Sequence, residues 1–505
     1  MLVTPDVGPL RHGAVIEETR VSTKTPRRRP VALFAALVCA VVAVGTLLGA
    51  SVAQAASVTI TNRTQFLDTS GNVVHAHGGG IIKVGSYYYW FGESRNADAS
   101  FKAVTVYRST DLKTWEFRNN ALTQTSAPEL ASSNIERPKV MYNASTGQFV
   151  MWMHKETATD YAQARAAVAV SNTVDGNYSY QGSFRPLDQY MSRDINVFVD
   201  ADGSGYMVSA ANENYDLNVY RLTSDYTGVA ALVQSWPGDH REAPALFKRN
   251  GVYFMVTSGA TNWSPNQQKY STASSLAGPW TAWQNVGDAT AFGSQTTSVL
   301  PIQGSQATSY LYLGDRWGPG FGATYADSQY IWLPLQFPSS TSLTMAGYDQ
   351  ITVDAATGVV AGVPASYVNL VARHSGKCAD VNGASTANNA ELLQYTCGSA
   401  YNQQFTTRDV GAGYVQLVLR HSGLCLDVAS ASTANSAQVI QYTCGSGANQ
   451  QWQLQDAGSG YYRIIARHSG KCLDVAGAST ANSARIKQYT CGTATNQQFQ
   501  MKSVS

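Results

Sequence analysis

Residues 235–256 read SWPGDHREAPALFKRNGVYFMV. The run Tyr253-Phe254-Met255-Val256 has the apolar density of a buried strand. Ahead of it, Glu242 stands between Arg241 and Ala243-Pro244. The proline fixes its own φ and biases Ala243 away from helix. The pattern predicts a loop that carries Glu242 to the head of a sheet element, where a rigid scaffold aims a side chain. The plainer alternative is a surface ion pair between Glu242 and Arg241. Four other stretches look like the strand: GSYYYWFG (85–92), GQFVMWMH (147–154), GYMVSAA (205–211) and SYLYLGD (309–315). The markers Tyr88, Phe149, Tyr206, Tyr253 and Tyr310 are 61, 57, 47 and 57 residues apart. A period near 50 with several strands per unit predicts an all-β, five-bladed β-propeller over 56–360. Second strands follow at 105–117, 166–178, 217–226 and 269–280, and 342–360 is expected to supply the last strands and close the ring. A two-sheet sandwich is the alternative, and the regular spacing disfavours it.

The chain opens with Arg27-Arg28-Arg29, an apolar run from Val31 to Ala50, and Ala53-Gln54-Ala55. This is the pattern of a signal peptide over residues 1–55, so the mature protein is expected to be secreted and extracellular, with no membrane contact after cleavage. A retained anchor is the alternative, because the run is long enough to span a bilayer. Loss of 1–55 removes six Lys/Arg and three Asp/Glu, taking the formal charge from +2 to −1. Nothing in that balance points to nucleic acid or an anionic membrane, and neither is expected as a partner. Cys39 lies in the signal, and the other six cysteines fall as Cys378/Cys397, Cys425/Cys444 and Cys472/Cys491, each pair 19 apart. Export makes three disulfides the expectation. The spacing does not suit a metal, and no cofactor is expected.

After a linker at 361–366 comes the clearest repeat. Three units of about 33 residues, opening at Arg373, Arg420 and Arg467, run from RHSG to NQQF or NQQW with a period of 47. They predict a threefold all-β domain over 367–505.

This C-terminal part resembles the ricin-B-type β-trefoil, a family-13 carbohydrate-binding module, in its CxD openings, its tyrosine two before each second cysteine, and its closing NQQF or NQQW. The resemblance implies a shallow sugar pocket in each lobe, formed by Asp380, Tyr395 and Asn402, by Asp427, Tyr442 and Asn449, and by Asp474, Tyr489 and Asn496. Carboxylate and amide would take vicinal hydroxyls while the aromatic face stacks on the sugar. Many relatives carry Gln four before the second cysteine, where this chain has Leu393, Ile440 and Lys487. Phe405, Trp452 and Phe499 are expected in the core, and Gln403, Gln450 and Gln497 are expected to brace the turns.

The N-terminal part resembles the propellers of glycoside hydrolase family 43, and within it the exo-β-1,3-galactanase branch. The motifs are VVHAHGGGIIKVGSYYYWFGE (73–93), NIERPKV (134–140), SRDINVFVDADGSGY (192–206), REAPALFK (241–248) and SQTTSVLPI (294–302). The resemblance implies that Glu242 is the general acid and that Asp194 tunes its pKa. Burial and a nearby negative charge would keep the proton of such an acid near neutral pH. Most members take their base from an aspartate in the first blade, but HAHGGGI holds no acid. In the galactanase branch this departure points to Gln295, as an imidic-acid tautomer or as a group that only orients the attacking water. Glu136 would bind galactose hydroxyls or support that tautomer. Ion pairs of Glu136 with Arg137 or Lys139, and of Asp194 with Arg193, are the plainer alternatives. Asp200 and Asp202 read as a hairpin turn.

Glu93 is a candidate hydroxyl acceptor. Trp90, Trp152, Trp263 and Trp317 are candidate stacking platforms, and His75 and His77 candidate pocket-lining residues. The expected protein is a monomeric, inverting hydrolase of β-1,3-galactan, the main chain of arabinogalactan. It would release galactose and β-1,6-branched galacto-oligosaccharides. An α-L-arabinofuranosidase or β-xylosidase on the same scaffold, and a catalytically inactive sugar-binding protein, are the alternatives.

Overall fold

The computed structural model describes residues 57–504; the signal peptide expected at 1–55 lies outside them. The described chain is built of strands joined by turns and short 3-10 helices. Among the described residues, five antiparallel sheets have four strands each, and in every one the strands are neighbours in sequence order. Each aromatic-rich run of the sequence is the second strand of one sheet: Tyr87–Arg95, Gln148–Thr157, Gly205–Ala211, Val252–Gly259 and Thr308–Arg316.

The first strands are His77–Val84, Ser133–Asn143, Ile195–Val199, Arg241–Arg249 and Gln295–Gln303. Each packs against the next, and the fifth returns to the first, so the five sheets close a ring. Apolar cores fill the wedges between successive sheets. Met151 and Phe91 pack together between the first and second sheets, and Met207 and Trp152 between the second and third. Tyr312 and Phe254 join the fourth and fifth. Trp90, Trp115 and Trp332 lie between the fifth and first, with ring centroids 5.0–6.2 Å apart. Trp90 and Trp152 are therefore packing residues, 3% and 0% exposed, and not stacking platforms. A buried indole of this kind contributes about 3–5 kcal/mol when compared with alanine.

The ring closes differently from the sequence expectation. Only Thr344–Met345 of the 342–360 segment joins the fifth sheet, as its outer strand. Gln350–Asp354 instead pairs with Val58–Thr61 and Val359–Val363 in a separate three-stranded sheet. That strand runs into the segment read as linker, leaving residues 364–367 between it and Val368–Ala372.

The C-terminal repeats form one sheet network around a common apolar core. Phe405, Trp452 and Phe499 are fully buried at its centre, as their spacing implies. The disulfides Cys378–Cys397, Cys425–Cys444 and Cys472–Cys491 are formed. Each closes a short loop, a constraint worth about 3 kcal/mol in the chain-entropy model. Gln403 braces its turn as expected: Nε2 donates to Asp380 Oδ2 and Thr396 O, and Gly398 N donates to Oε1.

Candidate active site

The first strands carry the site, and a repeated irregularity aims its side chains. Register shifts follow His77, Glu136 and Glu242. The next residue in each case, Gly78, Arg137 and Ala243, has a φ of +62°, +54° and +51°. These are β-bulges, which bend a strand and redirect one side chain. Glu242 thus lies on a strand, not on the loop expected from Ala243-Pro244. Glycine at 79 has a packing reason: a Cβ there would sit 1.7 Å from Phe91 O.

Glu242, Gln295, Asp194, Glu136, Glu93, Trp263 and Trp317 line one cavity of about 350 Å³. Gln295 is its centre. Gln295 Nε2 donates to Glu242 Oε1 at 2.9 Å and to Ser258 Oγ at 3.0 Å. Its Oε1 accepts from Arg137 Nη2 at 2.5 Å and from Trp317 Nε1 at 2.8 Å. Guanidinium and indole N–H groups only donate, so this network fixes which amide atom is oxygen.

Asp194 Oδ2 lies 3.1 Å from Arg137 Nη2 and accepts from Ala243 N at 3.0 Å. It therefore pins the bulge beside Glu242. Burial, and next the charge of Asp194, push the Glu242 carboxyl up to about 8. Asn214 Nδ2 donates to Glu242 Oε2 at 3.0 Å. Arg241 turns away to Thr257, so the surface ion pair with Glu242 does not form.

Glu136 does not pair with Arg137 or Lys139. Arg95 Nη2, Asn134 Nδ2 and Tyr161 Oη donate to its Oε1 at 2.7, 2.8 and 2.6 Å. His154 Nδ1 is 3.1 Å from its Oε2, and His154 Nε2 is 2.8 Å from Glu156 Oε1. Burial alone would raise Glu136, but the contacts of His154 and Arg95 hold it well below the usual range. Burial opposes a proton on His154, yet its two carboxylate partners raise it to about 9. Glu93 pairs with Arg95 at 2.8 Å, and burial raises its pKa. One atom each of Glu136, His154 and Asp194 lie within 4.8 Å of one another. In this network His154 lies between the carboxylates of Glu136 and Glu156.

His77 does not reach the cavity. It is fully buried, stacked on Tyr330 at 4.8 Å, with Nδ1 3.4 Å from Asp315 Oδ1. His75 also lies outside the lining. Trp317 is 6% exposed and serves as a donor to Gln295, while Trp263 is 41% exposed and packs edge-on to Trp317 at 5.2 Å. Arg193 pairs with Glu213, not with Asp194. Sequence reasoning missed Arg95, His154, Tyr161 and Asn214 as lining residues, and treated Arg137 only as a partner for Glu136. Buried charges inside apolar strands, such as Arg137 in NIERPKV and His154 after VMWM, were the available signal. Asp200 accepts from Lys248 Nζ at 2.8 Å and caps the hairpin expected at 200–204.

In the C-terminal domain Asn402, Asn449 and Asn496 donate to Asp380, Asp427 and Asp474 at 3.0, 2.9 and 3.0 Å. Burial raises all three aspartates, against the pull of their amide donors. Tyr395, Tyr442 and Tyr489 are exposed beside them. Leu393, Tyr395, Asp380 and Asn402 share one open cavity in the first lobe.

The family model for glycosyl hydrolases family 43 matches residues 76–301, and that for the ricin-type beta-trefoil lectin domain matches 366–499. No curated protein matches the chain. Among solved structures, the chain is 49% identical to the exo-beta-1,3-galactanase 1,3Gal43A of Clostridium thermocellum, covering 88% of this chain and 100% of that one, with a TM-score of 0.60. An exo-beta-1,3-galactanase of Phanerochaete chrysosporium, solved with galactose, is 28% identical over 88% of this chain and 93% of its own, with a TM-score of 0.60. A GH43 beta-1,3-galactosidase with galactodeoxynojirimycin is 34% identical over 57% of this chain and 99% of its own, with a TM-score of 0.54. The chain therefore belongs to glycosyl hydrolases family 43, a glycoside hydrolase with a C-terminal ricin-type beta-trefoil lectin domain.

Proposed function

We propose that the protein is a secreted, monomeric, exo-acting β-1,3-galactan hydrolase that inverts the anomeric carbon, built on a five-bladed propeller. The lectin domain, following at about residue 367, would hold it on arabinogalactan. The observation that carries this reading is the contact between Gln295 Nε2 and Glu242 Oε1 inside one cavity. Glycoside cleavage needs a proton on the leaving oxygen and a nucleophile on the opposite face of the ring. Glu242, raised to about 8, keeps its proton at pH 7 and is suited to the first task. No carboxylate contacts Gln295 apart from Glu242 among the described residues, so the second task falls to a water that the amide holds.

Gln295 acts as an ordinary amide in this reading. Two obligate donors, Arg137 and Trp317, face its oxygen. An imidic acid would put a hydroxyl proton there and meet those donors. Glu136, bound to Arg95, His154, Asn134 and Tyr161, is not in contact with Gln295 and so does not support that tautomer. When a sugar enters between Glu242 and Gln295, the Nε2 hydrogen now spent on Glu242 becomes free for water. Glu136 and Glu93, both hydrogen-bonded to Arg95, suit galactose hydroxyls, and exposed Trp263 suits stacking.

The test is incubation with linear β-1,3-galactan followed by ¹H NMR. Galactose appearing first as the α-anomer is the expected result. Release of the β-anomer, or activity confined to nitrophenyl arabinoside or xyloside, would refute it.

A further inference from the structure

A second cavity of about 250 Å³ shares Gln295, Trp263 and Trp317 with the first and reaches Arg316 and Thr443. Arg316 and Thr443 in turn line a third, of about 240 Å³, where the catalytic and lectin domains meet. Its walls hold Arg63, Arg316, Arg408 and Arg420, with Asp349 as the only carboxylate among the described residues. Asp349 pairs with Arg63 and lies 3.2 Å from Arg408 Nη2. The remaining partners are neutral: Gln329 and Cys444 O for Arg316, Gln416 for Arg408, and Gln404 with the Tyr401 ring for Arg420. Arg408 is 3% exposed and its Nε has no acceptor. Three guanidinium charges in excess of one carboxylate repel one another in a half-buried space, where the interaction is stronger than in water. Burial, with the charges of Arg63 and Arg408, accordingly lowers Arg316 to about 9.

We propose that this arginine-lined cavity binds the carboxylate of an acidic sugar, a uronate, carried by the polysaccharide whose terminal residue occupies the Glu242 cavity. It rests on the reading of the substrate as a polysaccharide. A neutral galactan has no use for the excess charge, and a carboxylate is matched by the guanidinium fork. Trp263 and Trp317 border the first and second cavities, and Arg316 and Thr443 the second and third, so one intervening cavity separates the proposed reacting residues from the arginines.

Calorimetric titration of the full chain at constant ionic strength tests it, with sodium glucuronate, inorganic phosphate and galactose as separate probes. The variants are Arg63→Gln and Arg420→Gln, each checked for an unchanged melting curve. Glucuronate is expected to bind the wild type and to weaken about tenfold in at least one variant, 1.4 kcal/mol in binding free energy. Galactose binding should be unaltered. Absence of glucuronate binding, equal binding in all three proteins, or binding of phosphate alone would overturn the proposal. Binding needs no turnover, so this result stands apart from whether β-1,3-galactan is hydrolysed.

Discussion

Gln295 and Glu242 are hydrogen-bonded side chain to side chain at 2.9 Å, although 53 residues separate them. Each comes from the first strand of its own sheet, and those two strands pack together in the ring. The contact places on one cavity the two groups to which the proposed mechanism gives the proton and the water, so that mechanism makes the pH response of catalysis a consequence of local burial.

In the proposed role Glu242 must be protonated, and burial with the charge of Asp194 raises its pKa to about 8. Activity is therefore expected to persist through pH 7 and to fall tenfold per unit above about pH 8. A pH profile of kcat/KM measures this, because it reports the free enzyme. An alkaline limb near pH 5 would contradict it.

Asp194→Asn removes the negative charge that helps raise Glu242. The alkaline limb should move to lower pH, with a smaller kcat at pH 7. An unmoved limb would mean that burial alone sets the shift.

Trp317→Phe keeps the packing but deletes one donor to Gln295 Oε1. Loss of a hydrogen bond that orients a reacting group costs about 1–1.5 kcal/mol, so kcat should drop about tenfold with little change in KM. A KM effect of that size with kcat intact would reassign Trp317 to sugar stacking.

His154 has a folded pKa of about 9 against 6.5 when unfolded. Its pairing with Glu136 and Glu156 therefore stabilises the fold fully below pH 6.5, and this contribution is lost as pH rises through about 9. His154→Gln should lower the melting temperature more at pH 6 than at pH 9.5. Equal losses at both pH values would remove the charge from the explanation.

How much of this was legible beforehand differs by level. The five aromatic runs and the threefold repeat marked the strands, because buried strands carry dense apolar residues. The bulges did not show. Nothing in Glu136-Arg137 or Glu242-Ala243 announces a left-handed backbone, so Glu242 reads as a loop residue and Arg137 as its neighbour's partner. Likewise His77 and Trp152 look like ligand-facing residues until packing shows them stacked on Tyr330 and buried in a wedge. His154 faces Glu136 across the register of one sheet, whereas Arg95 reaches it from the second strand of the preceding sheet, a meeting set only by how the sheets pack.

The role of Glu242 is tested most directly by comparing leaving groups in Glu242→Gln. With β-1,3-galactotriose, whose leaving oxygen needs a proton, kcat/KM should fall by about a thousandfold or more. With 2,4-dinitrophenyl β-galactoside, whose leaving group needs none, it should stay within about tenfold of wild type. Equal losses on both substrates would contradict Glu242 as the proton donor.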